Sequence, residues 1–162
     1  MRNLLIGLLG LGVAYYAYGA HTFSQGSVQR WIADHEVREM SGSESACDDY
    51  ADDVEVSLTA ENAKGRWEVE GGKNEMCGYI KQAAAVFTVL QAETQSTYED
   101  VSIQRSGFPW RTAVVTFKQR TDIRAQRVPA MVATSDEQLT LKRTLSGLKI
   151  IHLEATSNTV RQ

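Results

Sequence analysis

Histidine is the side chain whose charge changes near neutral pH without help from its surroundings, so the search for chemistry begins with the three histidines among these 162 residues. His21 closes an apolar N-terminal run. His35 shares helical spacing with Val28, Trp31 and Ile32 and has Asp34 beside it, and His152 lies in the last apolar run, Leu148 to Ala155. His35, Asp34 and His152 are therefore the pocket candidates, weighed against the plainer role of a hydrogen-bonded core histidine. Asp48, Asp49, Asp52 and Asp53 crowd one junction but lack the alternating oxygen ligands and central glycine of a calcium loop, so solvation at a helix end accounts for them. No metal-spaced Cys/His cluster, phosphate-binding glycine loop or nucleophile elbow is present, and the sequence calls for no metal, no cofactor and no assigned catalytic residue.

The elements that must position these groups follow from periodicity. Ser27 to Met40 reads as an amphipathic helix with Ser27 as N-cap, and Ser43 to Tyr50 as a short second helix capped by Ser43. Val54, Val56 and Leu58 alternate with polar residues, and with Arg66 to Glu70 they predict a hairpin. After Gly71 and Gly72, the stripe Met76, Ile80, Ala83, Phe87 and Leu90 predicts a long helix. Strands are expected at Ser96 to Arg105, Arg111 to Thr121, Gln138 to Leu145 and Leu148 to Ala155, with a two-residue turn at Ser146 and Gly147. The fold class is α+β, helices packed on one face of a curved antiparallel sheet.

Leu4 to Ala20 carries no charge, follows Arg2 and ends among Tyr15, Tyr16 and Tyr18. It predicts a signal anchor or transmembrane helix over residues 1–23, with a periplasmic domain over 24–162 on the outer side of an inner membrane. At about 1.5 Å per residue the run falls just short of a hydrocarbon core of about 30 Å. The alternative is a cleaved signal peptide, since Ala17 and Gly19 form a small-residue cleavage pattern, and the product is then periplasmic or secreted. Gly7, Gly10, Ala14 and Ala17 share one helical face that would admit a second helix, which makes them interaction candidates.

The net charge of -3 conceals a strong asymmetry. Residues 21–100 hold 6 Lys/Arg against 16 Asp/Glu, net -10, and residues 101–162 hold 10 against 4, net +6. A chain polarised in this way presents no uniform basic face, so nucleic acid is not the expected partner. Arg120, Arg124 and Arg127, near a loop expected to end at Pro129, form a candidate docking stretch for acidic or lipid groups. Phe108 and Trp110, at an expected hairpin tip, are further interaction candidates, because two large aromatics in a turn either fold back or form a contact surface.

Tyr50-Ala51-Asp52-Asp53-Val54-Glu55-Val56 resembles the helix-to-strand junction of the nuclear transport factor 2-like superfamily, which includes ketosteroid isomerases, polyketide cyclases and scytalone dehydratases. Gly72-Lys73-Asn74-Glu75-Met76 is similar to the family's glycine-led start of its long helix. Gly147-Leu148-Lys149-Ile150-Ile151-His152 is similar to its last strand, with Leu148 where a Trp is usual. Together these cover about Val28 to Ser157 and imply a cone-shaped domain enclosing a pocket, often dimeric through its sheet. The resemblance also brings the helices of Cys47 and Cys77, the only cysteines, together, and a disulfide is expected between them in an oxidising compartment. Ketosteroid isomerases carry a catalytic Asp five residues beyond the second Asp of the junction. Here that position is Leu58, which speaks against their chemistry.

Function is then expected to be that of a non-catalytic, membrane-anchored binding or scaffold domain, a subunit or assembly factor of an envelope complex, held by its N-terminal helix and paired with a protein partner or a second copy. The layout is similar to that of the scaffold subunit of type IV secretion systems. The alternative is a pocket enzyme (dehydratase, cyclase or hydrolase) or a carrier of a small hydrophobic ligand.

Overall fold

The computed structural model describes residues 2–62, 65–126 and 128–161. Helix α1 (Arg2–Thr22) precedes α2 (Gln25–Met40) and α3 (Glu44–Cys47). The hairpin β1 (Tyr50–Asn62) and β2 (Gly65–Gly71) leads into α4 (Lys73–Leu90). Four long strands complete the chain, β3 (Glu93–Ser106), β4 (Thr112–Ala125), β5 (Val128–Thr144) and β6 (Gly147–Arg161).

The six strands form one sheet in the order β2-β1-β6-β5-β4-β3. The expected all-antiparallel sheet is corrected at one seam, since β1 and β6 run parallel and the sheet is mixed. A parallel pair needs a long crossover, and β2, α4 and the β3–β5 meander supply it. β1 also begins at Tyr50, where a second helix was expected to end, and α3 is a single turn capped by Ser43.

Two other boundaries differ for physical reasons. The cap of α2 is Ser24, whose Oγ accepts from the Ser27 N–H at 3.4 Å, so the helix starts a turn earlier than the apolar stripe indicates. The expected loop before Pro129 is a tight turn, because β4 continues to Ala125 and β5 starts at Val128. Pro129 is tolerated near the start of its strand, Arg120 and Arg124 belong to β4, and Arg127 lies outside the described residues.

The concave face of the sheet carries the core. Ala113, Val115 and Phe117 alternate inward along β4, and Leu139, Leu141 and Ile150 meet them from β5 and β6. Val28 and Ile32 of α2 and Met76 and Ile80 of α4 close the other side. Cys47 and Cys77 form a disulfide between α3 and α4, Cα to Cα 5.6 Å, as expected. Gly42 allows the sharp exit from α2, with φ +67 and Ala84 so near that an added Cβ would lie 2.7 Å from it.

Among the described residues no helix is long and apolar enough to cross a membrane. Of the small-residue stripe, Gly10 has nothing within 4 Å of an added Cβ among the described residues, Ala14 and Ala17 are exposed, and the surroundings of Gly7 lie outside the described residues. Instead, α1 meets the domain at Gly19, where an added Cβ would stand 3.0 Å from Arg143 Nη1 and 3.1 Å from the Pro109 carbonyl.

Candidate functional site: a carboxylate-lined cone

Two connected cavities occupy the space between the helices and the concave sheet. The inner one, about 180 Å3, is lined by Ile32, His35, Glu36, Glu39, Tyr50 and Gln119 among others. The outer one, about 320 Å3, is walled by Trp67, Tyr79, Phe87, Ile123 and Ala133. Glu39, Met40, Leu58, Met76, Glu137 and Ala155 line both, so the two form one passage that narrows inward. Its overall size and mixed lining suit a small organic molecule.

The inner end is built by one turn-to-turn stripe of α2. Ile32, His35, Glu36 and Glu39 stand at i, i+3, i+4 and i+7, so the apolar face of the helix continues into an ionisable one. His35 Nδ1 lies 2.7 Å from Asp49 Oδ2, and Nε2 lies 3.1 Å from Glu39 Oε1. Trp31 stacks on the imidazole with centroids 5.3 Å apart, and Arg38 Nη2 donates to the same Asp49 oxygen at 2.5 Å. Burial by itself would lower the pKa of His35, but the hydrogen bonds to Asp49 and Glu39 and their charges outweigh it and raise the group to about 9. The ring is therefore an imidazolium donating from both nitrogens. The Tyr50 hydroxyl donates to Glu39 Oε1 at 2.5 Å, and burial, with the charge of Glu39, holds the phenol protonated well above its usual range.

Glu36 is engaged differently. Its carboxylate accepts from the hydroxyls of Ser96 and Tyr98 and, at 2.7 Å, from Gln119 Nε2, which ties α2 to β3 and β4. Burial and Glu36 keep the Tyr98 phenol protonated.

Glu137 contrasts with both. It enters from β5 at the join of the two cavities, and among the described residues its carboxylate accepts one hydrogen bond from a side chain, from the Ser135 hydroxyl at 2.7 Å. Burial pushes its carboxyl up to about 7; the Ser135 bond opposes this, and the charges of Glu39 and Glu36 reinforce it. The three carboxyl groups that line the inner cavity thus differ sharply in hydrogen bonding, the arrangement that separates acid from base roles.

The sequence candidates fare unequally. His35 lines the inner cavity. Asp34 does not join it: it is exposed on the outer side of α2, and Asp49 is the carboxylate that binds His35. Strict alternation from Ile150 would turn His152 inward, but the register of β6 against β5 slips between Thr140 and Leu141, and Leu153 takes the inward place. His152 stands on the outer face, 36% exposed, with Nδ1 3.6 Å from Glu55. The acidic junction is likewise divided, since Asp49 is drawn into the His35 network whereas Asp52 pairs with Lys73 at 2.8 Å near the surface. Of the hairpin-tip aromatics, Phe108 is 84% exposed and Trp110 folds back, its ring centroid 6.2 Å from that of Tyr16.

Leu58 lines both cavities, so this position does face the cone and brings no carboxylate to it. Glu137, Glu39, Glu36 and Tyr50 were not picked out from the sequence. The signal for two of them was present, as Glu36 and Glu39 continue the Ile32–His35 stripe. Glu137 shares strand parity with Leu139 and Leu141, but the expected strand began one residue too late to include it.

No family model matches the chain, and no curated protein matches it. Solved structures do. A scytalone dehydratase-like protein of Novosphingobium aromaticivorans superposes with a TM-score of 0.65 at 14% identity, covering 83% of this chain and 85% of that one. The beta subunit of the benzoate 1,2-dioxygenase of Burkholderia mallei gives 0.62 at 9% identity over 85% and 91%. An NTF2-like protein with a cystatin-like fold, also from Novosphingobium aromaticivorans, gives 0.57 at 15% over 96% and 88%. The fold is therefore the nuclear transport factor 2-like one, and at these identities the matches carry fold alone.

Proposed function

We propose that the cone is the pocket of an acid–base catalyst for a small, largely apolar molecule, a lyase or isomerase in which Glu137 moves a proton to or from carbon. The observation that carries this is the placement of Glu137: a sparsely hydrogen-bonded carboxyl at the junction of two connected cavities, opposite an ordered Tyr50–Glu39–His35–Asp49 chain. A carboxyl that is part protonated near neutral pH is able both to accept and to return a proton. Glu39, fixed by Tyr50 and His35, is the second group in reach of a bound molecule. The scaffold expectation has no such support, whereas the pocket alternative is in keeping with a fold that a scytalone dehydratase-like protein shares. The disulfide supports the export expectation, because such bonds persist in oxidising compartments.

The test is solvent-deuterium exchange and water loss on a panel of small cyclic ketones and β-hydroxyketones, followed by mass spectrometry. Turnover should rise with pH through about 7 and fall on the order of a hundredfold or more in Glu137→Gln. Binding of panel members with no exchange or elimination above that variant's level would leave a carrier and overturn the catalytic reading.

A further inference from the structure

Of the thirteen large apolar side chains exposed among the described residues, eight lie on α1 or at two strand tips beside it, and Val37, Trp67, Val86, Val89 and Val160 are spread over the rest of the surface. Leu9, Leu11, Val13, Tyr15, Tyr16 and Tyr18 are exposed on α1, and they point in several directions around its axis. A helix apolar all round is ordinarily covered by protein or lipid. Two further apolar residues stand beside its C-terminal end, Phe108 at the β3–β4 tip and Leu145, fully exposed, at the β5–β6 tip. The tips are neighbours, because the Arg143 N–H donates to the Arg111 carbonyl at 2.9 Å, and Gly19 of α1 seats against Pro109, Trp110 and Arg143.

Charge at this end is mainly positive, although Asp34 and Asp49 share a surface depression with Ser146, Gly147 and Leu148 at the β5–β6 tip. Residues 1–33 contain no Asp or Glu, and neither do 105–112 and 141–149, whereas the two tip segments hold Arg105, Arg111, Lys142, Arg143 and Lys149. None of Arg111, Lys142 and Arg143 pairs with a carboxylate among the described residues. The guanidinium of Arg143 lies 4.7 Å from the ring centroid of Tyr15 and 5.1 Å from that of Tyr18, which fixes α1 to the tips. Tyrosines beside apolar residues and cations are the pattern of a water–lipid boundary.

The mouth of the cone lies at the other end of the strands. The outer cavity is lined by Ile123 near the end of β4, Ala133 early in β5, and Ser157 and Thr159 late in β6. The tips stand at the start of β4, the end of β5 and the start of β6.

We propose that α1 from Leu9 onward, the Phe108 and Leu145 tips and the cations Arg111 and Lys142 together form a docking face for a bilayer with anionic headgroups, which turns the mouth of the cone toward water. Charge complementarity selects the occupant, since Arg111 and Lys142 are exposed without a carboxylate partner among the described residues, while the nearby Asp49 is already bonded by His35 and Arg38. Docking needs α1 and the tips immersed and does not need α1 to cross. It is independent of what the cone does.

The full chain has no free cysteine, so Phe108→Cys, Leu145→Cys and Glu61→Cys each give one labelling site for an environment-sensitive fluorophore. Labelled chains are reconstituted with phosphatidylcholine vesicles with and without about one quarter phosphatidylglycerol. Lipid-borne nitroxide should quench the labels at 108 and 145, aqueous iodide should quench the one at 61, and Arg111→Gln with Lys142→Gln should weaken tip quenching several-fold in the anionic vesicles alone. Tip labels that iodide reaches while the chain floats with vesicles would overturn the proposal, as would tip labels shielded without lipid in a dimer, which would assign the face to a second copy. Tip quenching indifferent to phosphatidylglycerol and to the double substitution would remove the anionic-headgroup assignment.

Discussion

Nδ1 of His35 and Oδ2 of Asp49 are 2.7 Å apart, joining the middle of α2 to the residue that precedes β1. This contact fixes the charge of the imidazole and, through Nε2, the position of Glu39.

A pH dependence of stability follows from it. The pKa of His35 is raised on folding from 6.5 to about 9, so its contribution is fully present below 6.5 and is lost as pH rises through 9. Roughly 3 kcal/mol of unfolding free energy should disappear between those values, about 1.4 kcal/mol for each tenfold difference in proton affinity between the folded and unfolded chains. Urea denaturation at pH 6 and pH 9.5 measures it, and Asp49→Asn should flatten the difference. An unchanged slope in that variant would show that the two residues are not coupled.

Glu137 has the same sign in a lower window. Its pKa is raised from 4.5 to about 7, so stability is greatest below 4.5 and falls as pH rises through 7. Glu137→Gln should match the wild type at pH 4 and exceed it at pH 8 by on the order of 2 kcal/mol, allowing for water at the join of the cavities. Carboxyl-carbon NMR of the wild type should show one glutamate titrating near 7 that is absent from the variant. If every glutamate titrates below 5, the base assigned to the cone is lost.

Reducing the Cys47–Cys77 bond opens a loop spanning 30 residues of sequence. The chain-entropy account gives a loss of roughly 3 to 4 kcal/mol, which for a chain of this size is on the order of 10 °C in Tm. Calorimetry of the Cys47→Ser, Cys77→Ser double variant checks it. Since neither sulfur lines the cone, ligand binding below the lowered Tm should be preserved.

What the sequence disclosed of all this varied with the kind of signal. The long stripe from Met76 to Leu90 and the alternation in β4 were legible, because burial on one face imposes a period on the residue types. The disulfide followed from the fold resemblance together with the count of cysteines. Direction was harder, as nothing local in β1 says whether its neighbour runs alongside it or against it. His152 was misplaced by a single register slip, which no composition rule exposes. The carboxylates were hidden for another reason: Glu36, Glu39 and Glu137 occupy positions where the pattern calls for apolar residues, and acids in an amphipathic stretch read as its solvent face. A functional interior violates the pattern that reveals the rest of the fold.

The parallel seam between β1 and β6 also governs how the chain comes together. Leu58 pairs with Ala155 and Thr59 with Thr156, so a strand within the acidic stretch 21–100 is secured on this side only by a strand that lies far later in the chain. Contacts of such sequence separation are slow to form. Until β6 emerges, β1 and β2 are a lone hairpin, marginal in water, with one edge unpaired. The hairpin is thus exposed to mispairing until β6 has been made, and β6 acts as the bolt that commits the sheet to close.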